Sequence, residues 1–313
     1  MWGVITMIID SLSDLAKTAK EKGEKAVVAV VEAHDEYTIE SVVSATDDGI
    51  MRPILIGDVM KIRELISKIG AYPLDYEMIS TDGSGNSLRN AVELIQTGEA
   101  SALMKGSIDT AELLKAVLNE RNDLISGGRL SLAGIFETPN YHKLLAVSDI
   151  VVNSYPDFEC KRAIVENAVM MLNTLGYTHP KVAVLTAIEK INPKMPETVD
   201  ANALKLMNLS GRIENCVVEG PISFDLVTSA EAAIIKGYDS PVAGDADLLI
   251  VPDIASGNIL AKCLTGMAGA QTAGAILGAK VPIVLTSRSA LASDKYYSIA
   301  LAVTIGSPAI RDY

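Results

Sequence analysis

The sequence predicts an α/β protein in which helices cover mostly parallel sheet, with a boundary that leads into a second unit. Three observations predict it. Short runs of β-branched and aliphatic residues alternate with amphipathic segments along the chain, the rhythm of βαβ units. Ala, Val, Ile and Leu dominate, and aromatics make up only 4% of the 313 residues, as expected where helices cover both faces of a sheet. One polar stretch, NERNDLISGGR at 119–129, interrupts the rhythm and reads as a domain boundary.

Taken in order, residues 11–22 carry Leu12 and Leu15 at helical spacing and stop at Gly23. Residues 26–31 (AVVAVV) form the continuous apolar run of a strand buried on both faces. A helix is expected over 41–48, a strand over 52–56, and an amphipathic helix over 61–69 with Ile62, Leu65, Ile66 and Ile69 on one face. The segment TDGSGNS at 81–87 reads as a flexible turn, because its GxG lacks the third glycine of a dinucleotide cradle. A helix at 88–96, a strand at 100–104 and a helix at 110–118 complete the first domain's rhythm. Beyond the boundary, strands are expected at 130–136 and 144–152, a long helix at 159–175, a strand at 181–186 and a helix at 201–209. Last come a strand at 248–251, a helix following Asn258, a strand at 281–286 (VPIVLT) and a helix from Asp294.

Charge and composition narrow the function. Lys and Arg number 27 against 39 Asp and Glu, a net charge of -12. Nucleic-acid binders carry a basic surface, so no nucleic-acid partner is expected. An anionic substrate would have to be met by locally gathered cations. Cys160, Cys216 and Cys263 are scattered without a CxxC pair, and His34, His142 and His179 are equally dispersed. That pattern predicts no metal site and no disulfide framework; the thiols read as small buried hydrophobes in a reducing compartment. The apolar N-terminus MWGVITMII lacks a basic flank, and no run approaches the ~18 apolar residues of a membrane span. A cytoplasmic protein without a membrane partner is expected.

Open α/β sheets bind ligands beyond the carboxyl ends of their strands, where helix N-termini present free N–H groups. Three such junctions stand out. In LMKGSIDT (103–110) a buried strand ends at Lys105 and Gly106: glycine permits close approach and lysine supplies a point charge, while Ser107, Asp109 or Thr110 can cap the next helix. The bland reading is an ordinary turn with a solvated lysine. In VPDIASGNILAK (251–262) Asp253, Gly257, Asn258 and Lys262 follow a strand; the bland reading is a cap made by Ser256 or Asn258. In LTSRSALASDKYYSIALA (285–302) the strand delivers Ser287 and Arg288, and Asp294 opens the next helix. Arginine grips phosphate through two parallel hydrogen bonds, whereas a surface Arg288–Asp294 pair would contribute little.

The third junction, together with VAGDADLLIVPDIASGNILAK and GAILGAKVPIVLTSRS, resembles the phosphate acetyl/butyryltransferase family. MKGSIDTAELLKAVLN, AIEKINPKMPETVDA and ENCVVEGPISFDL lean toward its butyryltransferase branch, and the resemblance runs from about Ala26 to Ala302. It implies the reversible reaction of an acyl-CoA with inorganic phosphate to give an acyl phosphate and CoA, through a ternary complex. It implies a two-domain, three-layer α/β/α fold with mostly parallel sheets, similar to isocitrate and isopropylmalate dehydrogenases. The domains would then be 1–129 with 276–313, and 130–275, with the active site in the cleft between them. A homodimer or higher homo-oligomer is implied, with CoA as substrate or product and no permanently bound cofactor. The family's Ser-Arg pair falls on Ser287-Arg288, and the carboxylate seven residues beyond the serine falls on Asp294. Lys105, Gly106, Asn153, Asp253, Gly257, Asn258 and Lys262 are the expected substrate-binding residues. The alternatives are a phosphate acetyltransferase, a non-catalytic acyl-CoA-binding module, and a decarboxylating dehydrogenase; the last would need clustered aspartates for Mg²⁺, which the sequence does not offer.

Overall fold

The computed structural model describes residues 8–22, 26–126, 128–287 and 290–306. The elements run α1 (Leu12–Lys22), β1 (Val27–Val31), α2 (Glu36–Asp47), β2 (Arg52–Gly57), α3 (Val59–Lys68), β3 (Glu77–Ser80), α4 (Ser84–Gln96), β4 (Ala102–Lys105) and α5 (Thr110–Val117). They continue with β5 (Ser131–Glu137), β6 (Leu145–Ser148), α6 (Phe158–Thr174), β7 (Lys181–Leu185), α7 (Pro196–Leu209), β8 (Val217–Ile222), α8 (Phe224–Thr228) and α9 (Ala230–Lys236). The last are β9 (Leu248–Ile250), α10 (Ile254–Gly266), β10 (Gln271–Leu277), β11 (Ile283–Val284) and α11 (Ala292–Ile305).

The chain divides into two compact units. The split unit joins Leu12–Gly128 to Thr272–Tyr313; the central unit holds Arg129–Gln271 and Met1–Ser11. In the split unit the strands lie in the order β3-β2-β1-β4-β11-β10, all parallel except β10 against β11. In the central unit the order is β5-β6-β9-β7-β8, all parallel except β5 against β6. Both are therefore mixed sheets with parallel majorities. The inner strands are apolar on both faces: Val28, Val30, Leu55 and Leu103 are buried, as are Val182, Leu248 and Ile250. Each such side chain contributes roughly 1.5–3 kcal/mol. Helices α1, α11, α2 and α3 touch in sequence, and α4 packs on β1, β2 and β4.

Several boundaries depart from the sequence reading, each for a local reason. Helix α2 begins well before Ser41 because the Asp35 carboxylate accepts the Thr38 N–H and caps it. The 81–87 segment is not a flexible turn: Gly83, with φ +100°, is the N-cap of α4, and Ser84 to Ser87 form its first turn. Helix α7 starts at Pro196, whose fixed φ suits the first helical position. Helix α10 starts at Ile254, capped by Asp253 rather than Ser256 or Asn258. Strand β6 stops at Ser148, where the Asp149 side chain takes over the following N–H groups. Helix α11 begins at Ala292, ahead of Asp294. The sequence reading omits β3, β8 and β10, whose Glu77, Gly220-Pro221 and Gly274 obscure the strand pattern, and the short helices α8 and α9.

Among the described residues no helix is long and apolar enough to cross a membrane, and no group of three metal-ligating side chains gathers. Cys160 and Cys216 are buried free thiols; Cys263 corrects the expectation, since it is free but exposed on α10.

Candidate active site

Strands β1, β4 and β11 are neighbours, and their carboxyl ends carry the first and third junctions. The register sets Val31 beside Lys105 and Met104 beside Val284. Past β4 the Gly106 N–H donates to Val31 O and the Ser107 N–H to Glu32 O, both at 2.8 Å. Only glycine fits at 106: a Cβ there would lie 2.3 Å from the Glu32 carbonyl oxygen. Asp109 accepts the Ala111 N–H and caps α5. Lys105 is not the solvated lysine of the bland reading. Its side chain is 3% exposed, and Nζ donates to the Gly106 carbonyl at 3.3 Å.

After β11 come Thr286 and Ser287. Ser287 is exposed, and its carbonyl accepts the Ala290 N–H at 3.1 Å. Arg288, like Gly23 and Gly127, lies outside the described residues. Asp294 sits in the first turn of α11, half-buried, and its Oδ1 accepts the Thr272 N–H at 3.2 Å. Burial pushes its carboxyl above the usual carboxylate range, with the N–H groups of Thr272 and Leu291 pulling the other way. One residue on, Lys295 is buried, and its Nζ donates to Thr286 Oγ1 at 3.1 Å.

A polar network that sequence reasoning missed borders Gly106. Glu32, at φ +53°, accepts a hydrogen bond from Ser87 Oγ, and its other oxygen lies 3.3 Å from His34 Nε2. Ser87 Oγ also lies 2.6 Å from Thr81 Oγ1. No spacing in the sequence links positions 32, 81 and 87; the parallel order of β1, β2 and β3 does.

The second junction belongs to the central unit. Asp253 accepts both the N–H and the hydroxyl of Ser256, at 2.8 and 2.7 Å, and these bonds hold its pKa below the usual carboxylate range. Gly257 lets α10 rest on the neighbouring loop, since a Cβ would lie 2.6 Å from Asp149 O. Asn258 Nδ2 donates to Ile150 O at 3.3 Å. Asn153 Nδ2 donates to Leu130 O and to Asp149 Oδ2, at 2.8 and 2.6 Å. Lys262 is exposed one turn further along α10. The organiser of this junction is Asp149, 2% exposed, whose carboxylate accepts the N–H groups of Leu132, Val151, Val152 and Asn153.

Beside it, at the carboxyl ends of β7 and β9, a cavity of about 680 Å³ is lined by Tyr155, Lys161, Leu185, Phe224, Asp253 and Leu260 among others. Its volume suits a small organic ligand. Lys161 is buried and paired with Asp200 at 2.7 Å. Of the residues expected to bind substrate, Asp253 lines this cavity. Asn153, Gly257 and Asn258 instead tie α10 and the 149–153 loop together. Lys105, Gly106, Ser287 and Asp294 are thus gathered on the split unit, and Asn153, Asp253, Gly257, Asn258 and Lys262 on the central one.

The family model described as phosphate acetyl/butaryl transferase matches residues 76–303. A phosphate butyryltransferase of Clostridium acetobutylicum is 39% identical over 95% of this chain and 99% of its own length. A phosphate acetyltransferase of Thermotoga maritima is 41% identical over 93% of this chain and 98% of its own. Among solved structures, a branched-chain phosphotransacylase from Enterococcus faecalis superposes with a TM-score of 0.80 at 32% identity, covering 90% of this chain and 99% of that one.

Proposed function

We propose, from the premise that this chain belongs to the phosphate acetyl/butaryl transferase family, that its acyl substrate is butyryl or a branched short chain. The chain is a phosphate acyltransferase: an acyl-CoA and inorganic phosphate exchange to give an acyl phosphate and CoA. The motifs leaning toward the butyryl branch support the proposed preference, as does the similarity to a phosphate butyryltransferase and a branched-chain phosphotransacylase.

The observation that carries the mechanism is Asp294, a carboxyl raised by burial on the helix that follows Ser287. In the direction that forms acyl-CoA a thiolate, not a thiol, attacks the carbonyl of the acyl phosphate and inorganic phosphate leaves. A CoA thiol resembles cysteine near ~8.5, against ~3.9 for an ordinary aspartate. The raised pKa of Asp294 narrows that gap, which favours transfer of the thiol proton to the carboxylate in concert with attack. In our reading the Ser287 hydroxyl donates to the oxyanion of the tetrahedral intermediate, a bond worth about 3 kcal/mol where such donors have been removed. Arg288 grips the departing or entering phosphate through paired N–H donors. No covalent enzyme intermediate is required, because both substrates are bound together. Lys105 and Lys262 supply further positive charge, which a chain of net charge -12 must provide locally.

The test is CoA release from acetyl-, butyryl- and isobutyryl-CoA with phosphate. Two methylenes are worth about 1.6 kcal/mol, so butyryl-CoA is expected to lead acetyl-CoA by roughly tenfold in kcat/KM. Equal values would overturn the preference. We place the reaction in the cytoplasm, a reading supported by three free cysteines, and take the working form to be a homo-oligomer, supported by adjacent exposed Ile234 and Ile235 on α9. Light scattering giving one protomer mass would overturn the latter.

A further inference from the structure

Lys295 is a charge the fold has no structural use for. It is 3% exposed on α11, and its Nζ has one hydrogen-bond partner among the described residues, the neutral Thr286 hydroxyl at 3.1 Å. It forms no ion pair among those residues. The carboxylate whose field reaches it is Asp35, and Asp35 Oδ1 is already occupied by capping α2. Taking an ammonium out of water costs several kcal/mol unless an opposite charge meets it, and burial accordingly lowers the pKa of Lys295. A methionine would fill this place without that penalty. A buried cation with spare donors is instead the arrangement expected of a group awaiting an anion.

Its position says which anion. Thr286 immediately precedes Ser287, so Lys295 is anchored one residue from the serine assigned to the reacting carbonyl. On the adjacent strand, Lys105 is equally buried beside Gly106. Two buried ammonium groups therefore flank the same strand tips, from α11 and from β4. Lysine carries three donors; Thr286 takes one, leaving two for a tetrahedral oxyanion.

We infer that Lys295 is a further substrate-binding residue, its ammonium anchored by Thr286 and donating to one oxygen of inorganic phosphate, or of the phosphoryl group of the acyl phosphate. This rests on the phosphate acyltransferase reading for the identity of the anion and on the geometry for the residue.

Lys295→Met tests it in the full-length protein. Relative to wild type, the KM for phosphate is expected to rise tenfold or more, with the KM for butyryl-CoA within twofold and the melting temperature unchanged or higher. Lys295→Arg is expected to recover part of the loss. Equilibrium dialysis with inorganic phosphate alone should show binding to wild type that Lys295→Met loses. Wild type active with an unchanged phosphate KM in Lys295→Met overturns this inference and leaves the reaction standing. Wild type inactive overturns the reaction, and the dialysis then decides on Lys295 alone. Should Lys295→Met not fold, Thr286→Val removes the anchor while keeping the charge. A severalfold rise in phosphate KM supports the inference, and an unchanged KM overturns it.

Discussion

Asp294 is placed where ionisation works against the fold. Its folded pKa is raised by burial above the unfolded value, so its favourable contribution is complete below the unfolded pKa and is lost as pH rises through the folded one. At neutral pH Asp294→Asn should therefore melt higher than wild type, while its kcat falls. Calorimetry and steady-state kinetics at pH 7 check both; a lower melting temperature would show that the charge stabilises, contrary to this account. Ser287→Ala is expected to lose about 100-fold in kcat if its hydroxyl meets the oxyanion, and Arg288→Ala to raise chiefly the KM for phosphate. The strand-to-helix junction that carries Ser287 and Asp294 was legible in the sequence, because an apolar run followed by a helical pattern marks such a turn. Lys295 and Asp149 were not, since KYYSIALA and VSDIVVN say nothing of how deeply those charges are buried. Their roles come from burial, which only the tertiary packing sets.

At the scale of elements, the apolar runs of β1, β4 and β7 announced themselves, whereas the starts of α2, α4 and α10 did not. Asp35 and Asp253 each begin a helix earlier than periodicity suggested, because a cap acts through one hydrogen bond rather than through a repeating pattern, and Gly83 does so through its positive φ. Asp253→Ala is expected to destabilise by about 1 kcal/mol, measurable by urea unfolding. Gly106→Ala should cost more, about 2–3 kcal/mol, since its Cβ would meet backbone oxygen that cannot rotate away. An equal effect of the two substitutions would mean that the β1–β4 tips give way more readily than their hydrogen bonds imply.

At the scale of the molecule, the polar stretch at 119–129 was visible, but the pairing of the last strands with the first was carried by family resemblance, not by residues. Strand β11 is two residues long, and its place between β4 and β10 depends on pairing with β4, far away in the chain. That placement has a consequence for biosynthesis. Until residues 271–305 have left the ribosome, β4 has no neighbour on one side, and the groove that α11 will fill stands open. The split unit closes only when that segment has emerged, so a nascent chain exposes a bare sheet edge, an invitation to chaperones or aggregation, until α11 docks.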